Sequence, residues 1–330
     1  MTKAAIYAEG LKKSFAVKGR GADGKREVEA VRGVDLCVRK GEIFGFLGPN
    51  GAGKTTCQRM LTTLLPIGGG EAAVAGYDVM KQPGQVRKRI GYVGQLGGAD
   101  LPATGRENLM TAARLYGMPR TAAEKKTGEL ARTLEIEELL GRFVRTYSGG
   151  QRRRLEIALG IIHEPEILFM DEPTTGLDPQ NRAKLWEHIR RLKEKGMTVF
   201  LTTHYMDEAD ALADRLAIID HGRIVAEGTP AELKRRISGE VVALKLKNDA
   251  DAERIRALGA SVALNNEIRR DGARVVLYVA DGAKAMPALF DILKSAGIEP
   301  ESLSLATPTL DDVFLKQTGR ALRDAGREGA

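Results

Sequence analysis

The run Gly48-Pro49-Asn50-Gly51-Ala52-Gly53-Lys54-Thr55 constrains this chain more than any other stretch. An apolar run, residues 43–47, precedes it, and residues 54–65 follow with Met60, Leu61, Leu64 and Leu65 at helical spacing. Strand, glycine turn and helix in that order are the context in which the GxxxxGK[ST] spacing grips phosphate. Glycines bare the backbone amides, Lys54 can reach the outer phosphate oxygens, and the Thr55 hydroxyl can hold Mg2+. Asn50, Gly51, Gly53 and Thr56 complete the expected cradle. A chance glycine-rich turn would not bring strand, lysine and helix into register together.

Up to about Ile237, short β-rich runs alternate with helical stretches, which predicts an α/β domain with a mostly parallel sheet. Residues 167–170 and 198–203 read as buried strands, and Asp171 and His204 follow them directly. Both therefore emerge at the carboxyl edge of the sheet, where such folds place their ligands. Asp171 is placed to hold Mg2+, and Glu172 beside it to polarise an attacking water as a general base. A solvated Asp-Glu pair opening a turn before Pro173 is the plainer reading, and the four apolar residues ahead of Asp171 argue against it. His204 by itself would be an ordinary histidine; in this company it can hydrogen-bond a γ-phosphate. His163, His188 and His221 lack that company and are read as structural.

Ser148-Gly149-Gly150-Gln151 precedes residues 152–162, where Leu155, Ala158, Leu159 and Ile162 have helical spacing. Small residues that open a helix leave amides free for a phosphate, although a plain helix cap is the alternative. Two phosphate-reading helix starts suit one nucleotide only if two subunits face each other.

The chain has 330 residues, 43% hydrophobic and 29% charged, enough for one large domain and a smaller one. No apolar run approaches a membrane span, the first residues carry no secretory h-region, and Cys37 and Cys57 make no disulfide framework, which together point to the cytoplasm. The net charge of +7 is scattered among Asp and Glu, a solvated surface rather than a nucleic-acid patch. Residues 16–26, rich in Gly, Lys and Arg, read as an exposed, mobile hairpin loop, and residues 102–139 as a helical insert. After about Gly239 the order βαββαβ predicts a small α+β domain of ferredoxin-like type, with a hairpin around Asp271-Gly272, a helix over residues 310–318 and a frayed tail beyond. The expected domains are 1–238, with the insert at about 97–160, and 239–330.

Taken together, these motifs resemble the nucleotide-binding subunit of ABC transporters over about the first two thirds of the chain. Walker A is residues 48–55, the Q-loop glutamine is Gln95, the signature is Ser148, Gly149, Gly150 and Gln151, and Walker B ends at Asp171 with Glu172. The D-loop is Thr175-Gly176-Leu177-Asp178, and His204 is the switch histidine. The resemblance further implies an adenine-stacking aromatic, for which Phe15 is the candidate, and Gln95 as a third Mg2+ ligand. Tyr147 precedes the signature serine where leucine is commonest. That tyrosine, together with the tail Thr309-Leu310-Asp311-Asp312-Val313-Phe314-Leu315, is similar to daunorubicin and doxorubicin resistance ATP-binding proteins.

The resemblance implies an ATPase at the cytoplasmic face of the membrane. Two copies would close head to tail around two ATP molecules and drive efflux of a drug or amphiphile through a separate permease. Lipid or polysaccharide cargo is an alternative, as is a soluble ABC ATPase on nucleic acid or ribosomes. Against the last, the chain has one Walker A, no long heptad run and no cysteine clusters. A lone small-molecule kinase would have no use for residues 148–151.

Overall fold

The computed structural model describes residues 4–18, 25–237, 240–264, 268–306 and 308–319. The beginning of the chain, the centre of the 16–26 loop and the tail beyond Gly319 lie outside the described residues. The chain divides into two compact units, Met1–Ile224 and Val225–Ala330.

The first unit begins with β1 (Ala4–Lys18) and β2 (Lys25–Arg39), a long antiparallel pair. Its strands extend well into the stretch expected as loop. Next come β3 (Ile43–Leu47), α1 (Lys54–Leu61), β4 (Gly69–Val74), β5 (Tyr77–Asp78), α2 (Pro83–Arg87) and β6 (Ile90–Val93). The insert follows as α3 (Gly105–Leu115), α4 (Arg120–Thr133) and α5 (Gly149–Ile161). The chain then returns through β7 (Ile167–Asp171), α6 (Pro179–Glu194), β8 (Thr198–Thr203), α7 (Met206–Leu212) and β9 (Arg215–Asp220) to β10 (Arg223–Gly228), within which the division between the units falls.

These strands form two sheets rather than one. One is antiparallel, in the order β2-β1-β4-β5, and the other runs β10-β9-β3-β8-β7-β6, with β9, β3, β8, β7 and β6 parallel. Side chains of the inner strands alternate between two cores, as a period of two requires. Ile43, Leu168 and Met170 point into a helical core with Leu130, Leu155 and Ile189, while Phe44, Phe46 and Phe169 point toward β1, β2 and α1. Phe200 anchors this second core, its ring centroid 5.4–5.8 Å from those of Phe169, Phe46 and Phe44. α1 is shorter than its apolar spacing predicts. It ends at Leu61 because Thr62 caps it and Thr63 turns left-handed at φ 63°, which puts Leu64 in solvent.

The second unit contains α8 (Pro230–Arg235), β11 (Glu240–Lys245), α9 (Asp249–Leu258), β12 (Ile268–Asp271), β13 (Arg274–Val279), α10 (Gly282–Ala296), β14 (Ser302–Ala306) and α11 (Leu310–Thr318). Its antiparallel sheet has the order β12-β13-β11-β14, and the βαββαβ run from β11 to β14 gives it the ferredoxin-like arrangement. The β12–β13 hairpin turns at Asp271-Gly272 as expected. The conspicuous tail sequence is a helix start. Thr309 caps α11, Asp312 reaches back to the Thr309 amide, and Leu310, Val313, Phe314 and Leu315 are buried.

Candidate nucleotide site

Walker A leaves β3 beside β8, the Gly48 amide donating to the Thr203 carbonyl at 3.2 Å, and turns into α1 at Gly53. Gly53 has φ 104° and lies against Ala30, whose carbonyl oxygen a Cβ would meet at 2.5 Å. Any other residue there would be strained and crowded at once. Asn50 and Gly51 are exposed at the loop tip, and Thr56 is half-buried on α1.

Lys54 is 5% exposed and turns back over its own loop, its Nζ donating to the Gly48 and Pro49 carbonyls at 2.8 and 3.0 Å. The same Nζ lies 3.4 Å from Glu172 Oε1. Burial pulls the Lys54 ammonium below its ordinary value, and Glu172 and Asp171 pull against that. One step along α1, Thr55 Oγ1 donates to Asp171 Oδ1 at 3.2 Å.

Parallel registry brings the Walker B end and the switch histidine to the same edge. Asp171 pairs with Thr202 and Leu47 with Thr203. Thr202 Oγ1 donates to Asp171 Oδ1 at 2.6 Å and accepts from the Glu172 amide at 3.1 Å. Glu172 holds a left-handed φ of 46°, unusual for a non-glycine residue, and this aims its carboxylate back over Lys54. His204 Nδ1 lies 3.2 Å from Glu172 Oε1, a close approach without hydrogen-bond geometry. Gln95 Nε2 and Thr175 Oγ1 donate to Glu172 Oε2 at 3.4 and 3.3 Å. Burial opposes ionisation of Glu172, but His204 and Lys54 outweigh it and hold the carboxyl down to about 2.

Thus Lys54, Thr55, Gln95, Asp171, Glu172 and His204 converge in one cluster. The remaining residues singled out in the sequence stand in other local settings. Ser148 caps α5, accepting from the Gln151 amide while Gln151 Oε1 accepts from the Ser148 amide. Gly149 and Gly150 begin that helix, and Gly150 lies so close to Asn181 that a Cβ would meet its Oδ1 at 2.5 Å. Asp178 caps α6 and accepts from the Asn181 amide at 3.0 Å. Phe15 is 39% exposed on β1, with Lys13 Nζ 5.8 Å from its ring centroid. Tyr147 donates through its hydroxyl to the Leu139 carbonyl at 2.5 Å, and Gly105 leaves the space the hydroxyl takes.

Sequence reasoning passed over Thr202, Arg153 and Glu208. Thr202 is a single hydroxyl with no pattern of its own. Arg153 stands in a triple arginine that reads as a solvated face, yet it shares a helical stripe with Gly150 and Ile157, and that spacing was the available signal. Glu208, on α7, is fully buried; Trp186 Nε1 on α6 donates to its Oε1 at 3.2 Å, and burial pushes its carboxyl up.

A phosphate cradle at a strand-to-helix turn, with its lysine and a histidine converging on one carboxylate, defines a P-loop nucleotide hydrolase. A family model described as "ABC transporter" matches residues 31–175, and one described as "ATP-binding protein DrrA1-3-like, C-terminal domain" matches residues 228–318. The daunorubicin/doxorubicin resistance ATP-binding protein of Streptomyces peucetius is 44% identical over 304 residues, 91% of each chain. The linearmycin resistance ATP-binding protein of Bacillus subtilis is 34% identical over 97% of this chain and all of its own. A Nod factor export ATP-binding protein of Ralstonia nicotianae is 36% identical over 97% of this chain and 95% of its own. Among solved structures, a dimeric ATP-binding cassette in a post-hydrolysis state with ADP and Pi superposes with a TM-score of 0.61 at 24% identity, covering 68% of this chain and 98% of that one. The chain belongs to the ATP-binding subunits of ABC transporters, in the daunorubicin/doxorubicin resistance group. It binds ATP and is an ATPase.

Proposed function

We propose that this subunit powers efflux of a drug or other amphiphile through a separate membrane permease, working as a head-to-tail dimer at the cytoplasmic face. The observation that carries the catalytic half of this reading is the convergence of Lys54 and His204 on Glu172 Oε1 beside the Thr55–Asp171 pair. In this reading Lys54 and the loop amides take the phosphates, Glu172 takes a proton from the attacking water, and His204 holds the γ-phosphate side. Phosphate oxygens compete with Glu172 for Lys54, so nucleotide binding frees the carboxylate from its buried partner.

Thr55 Oγ1, Asp171 and the Gln95 side-chain oxygen are hard donors from three segments of one cluster, a set that fits Mg2+. The ion would neutralise charge on the outer phosphates. Phe15, exposed on β1, stacks on the adenine. Ser148, Gly149, Gly150 and Gln151, with Asp178, face the nucleotide held by the partner copy.

A permease contact is supported by the surface beside Gln95. A groove of about 370 Å³, lined among others by Tyr92, Gly94, Gly97, Tyr116 and Leu159, opens there. Around it Leu96 is 99%, Leu115 83% and Leu64 58% exposed, unusual for apolar side chains without a partner. No described helix is long and apolar enough to cross a membrane. Affinity capture from membranes solubilised in mild detergent tests the reading. Recovery of a multi-helix permease, lost with Leu96→Asp and Tyr116→Ala, is the expected result; recovery of ribosomes or nucleic acid alone would overturn transport and leave the ATPase chemistry intact.

A further inference from the structure

We propose that Arg153 is a positioning residue that ties the signature helix to the start of the Gln95 loop and to the exit of the Walker B strand. The inference rests on the roles given above to Gln95 and Glu172. Arg153 sits on the second turn of α5, after Ser148 and Gln151, and is 6% exposed. Every nitrogen of its guanidinium is engaged. Nε donates to the Pro173 carbonyl at 2.8 Å, Nη1 to the Gly94 carbonyl at 2.7 Å, and Nη2 to the Asp171 carbonyl at 3.1 Å. Gly94 precedes Gln95, and Asp171 and Pro173 flank Glu172. One planar fork therefore holds the backbone on either side of the carboxylate and next to the glutamine.

The cation is balanced one turn along α5, where Glu156 Oε2 accepts from Nη1 at 3.0 Å. Glu156 has a second function in the same geometry. Its carboxylate fills the space over Gly97, which is left-handed at φ 76°, and a Cβ at residue 97 would run into Oε1. The Gln95 loop is thus held at residue 94 by Arg153 and pressed at residue 97 by its i+3 partner. A buried ion pair of this kind contributes little net stability, because desolvating both ions offsets their attraction. What it does supply is registry, since three carbonyls from two catalytic segments must sit where one rigid fork can reach them. Displacement of Gln95 is transmitted through Arg153 to the helix that begins at Ser148.

The test uses the full chain with Arg153→Met, which keeps the bulk and removes the fork, and Arg153→Lys, which keeps the charge for Glu156 but loses the planar geometry. Affinity for a fluorescent ATP analogue is expected to stay unchanged while kcat falls about 10- to 100-fold, the scale of a small misplacement of catalytic groups. Hydrogen exchange at residues 94–98 is expected to quicken, with exchange at residues 48–55 unaltered. In a Gln95→Ala background the Arg153→Met loss in kcat should be smaller than in wild type, because the Gly94 link then has no glutamine to position while the hold on Asp171 and Pro173 is still lost. Arg153→Lys should fall between wild type and Arg153→Met, and it carries the same measurements if the methionine variant does not fold. Additive losses in kcat, or unaltered exchange at residues 94–98, would overturn the proposal. The exchange result does so whether or not Glu172 is the base, and turnover of Glu172→Gln near the wild-type rate would instead overturn the catalytic reading.

Discussion

Glu172→Gln separates the charge of that side chain from its shape, and two opposite effects follow. The Lys54 ammonium lies 3.4 Å from Glu172 Oε1 with both side chains buried. At an effective dielectric of about 20 the gross attraction across that distance is about 5 kcal/mol. Desolvation of the two ions offsets most of it, leaving about 1–2 kcal/mol that ATP must displace to claim the lysine. Glutamine removes that competitor, so ATP should bind about 5- to 30-fold more tightly. The same substitution removes the proton acceptor, and kcat should fall about 100- to 10,000-fold. Titration with a fluorescent ATP analogue and continuous phosphate release measure the two halves separately. Turnover within about tenfold of wild type would refute Glu172 as the base, and weaker ATP binding would refute its competition for Lys54.

The variant also alters the response to acid. Burial opposes ionisation of Glu172, and His204 and Lys54 overcome it, so the folded carboxyl titrates at about 2 rather than 4.5. Its contribution to stability is present above about pH 4.5 and is lost as pH falls through about 2, so wild type should lose more stability than Glu172→Gln across that window. Parallel acid unfolding curves would contradict this. Lys54→Ala should weaken ATP binding by about 2–3 kcal/mol, roughly 30- to 150-fold, and unchanged affinity in equilibrium titration would reject the cradle role. Ser148→Ala should cost about 1 kcal/mol at the α5 start, leave ATP binding to the monomer intact and hydrolyse poorly. Lost binding would place Ser148 in its own subunit's site. Tyr147→Phe removes the donor to the buried Leu139 carbonyl and should lower Tm by about 2–4 °C with ATP affinity unchanged; no thermal shift would refute that anchor.

The parts of this site that the sequence made legible are those where chemistry sits at the end of a regular element. Lys54, Asp171 and His204 each follow a short apolar strand, and parallel registry carries strand ends to one edge without further information. The ferredoxin-like order was legible for a similar reason, since periodicity switches at each short element and a glycine marks the β12–β13 turn. Less legible was anything that depends on which sheet a strand joins. β1 and β2 look like any β-rich runs, and only the pairing of β1 with both β2 and β4 shows a second, antiparallel sheet. α1 kept helical spacing beyond its true end because Thr63, a residue with no strong breaking tendency, takes the left-handed turn. Arg153 and Glu208 were hidden because charge patterns read as solvent, and only tertiary packing shows such groups buried and fully engaged.

The protein contains a single tryptophan, and its position gives that fact experimental value. Trp186 stands on α6, two turns beyond the Asp178 cap, with its indole nitrogen bound to Glu208 on the helix that follows His204. Indole emission depends on local polarity and hydrogen bonding, so any nucleotide-driven shift of the D-loop helix against the switch helix should change its intensity or wavelength. The molecule carries its own optical probe, and ATP binding, hydrolysis and release can be timed in the unlabelled protein.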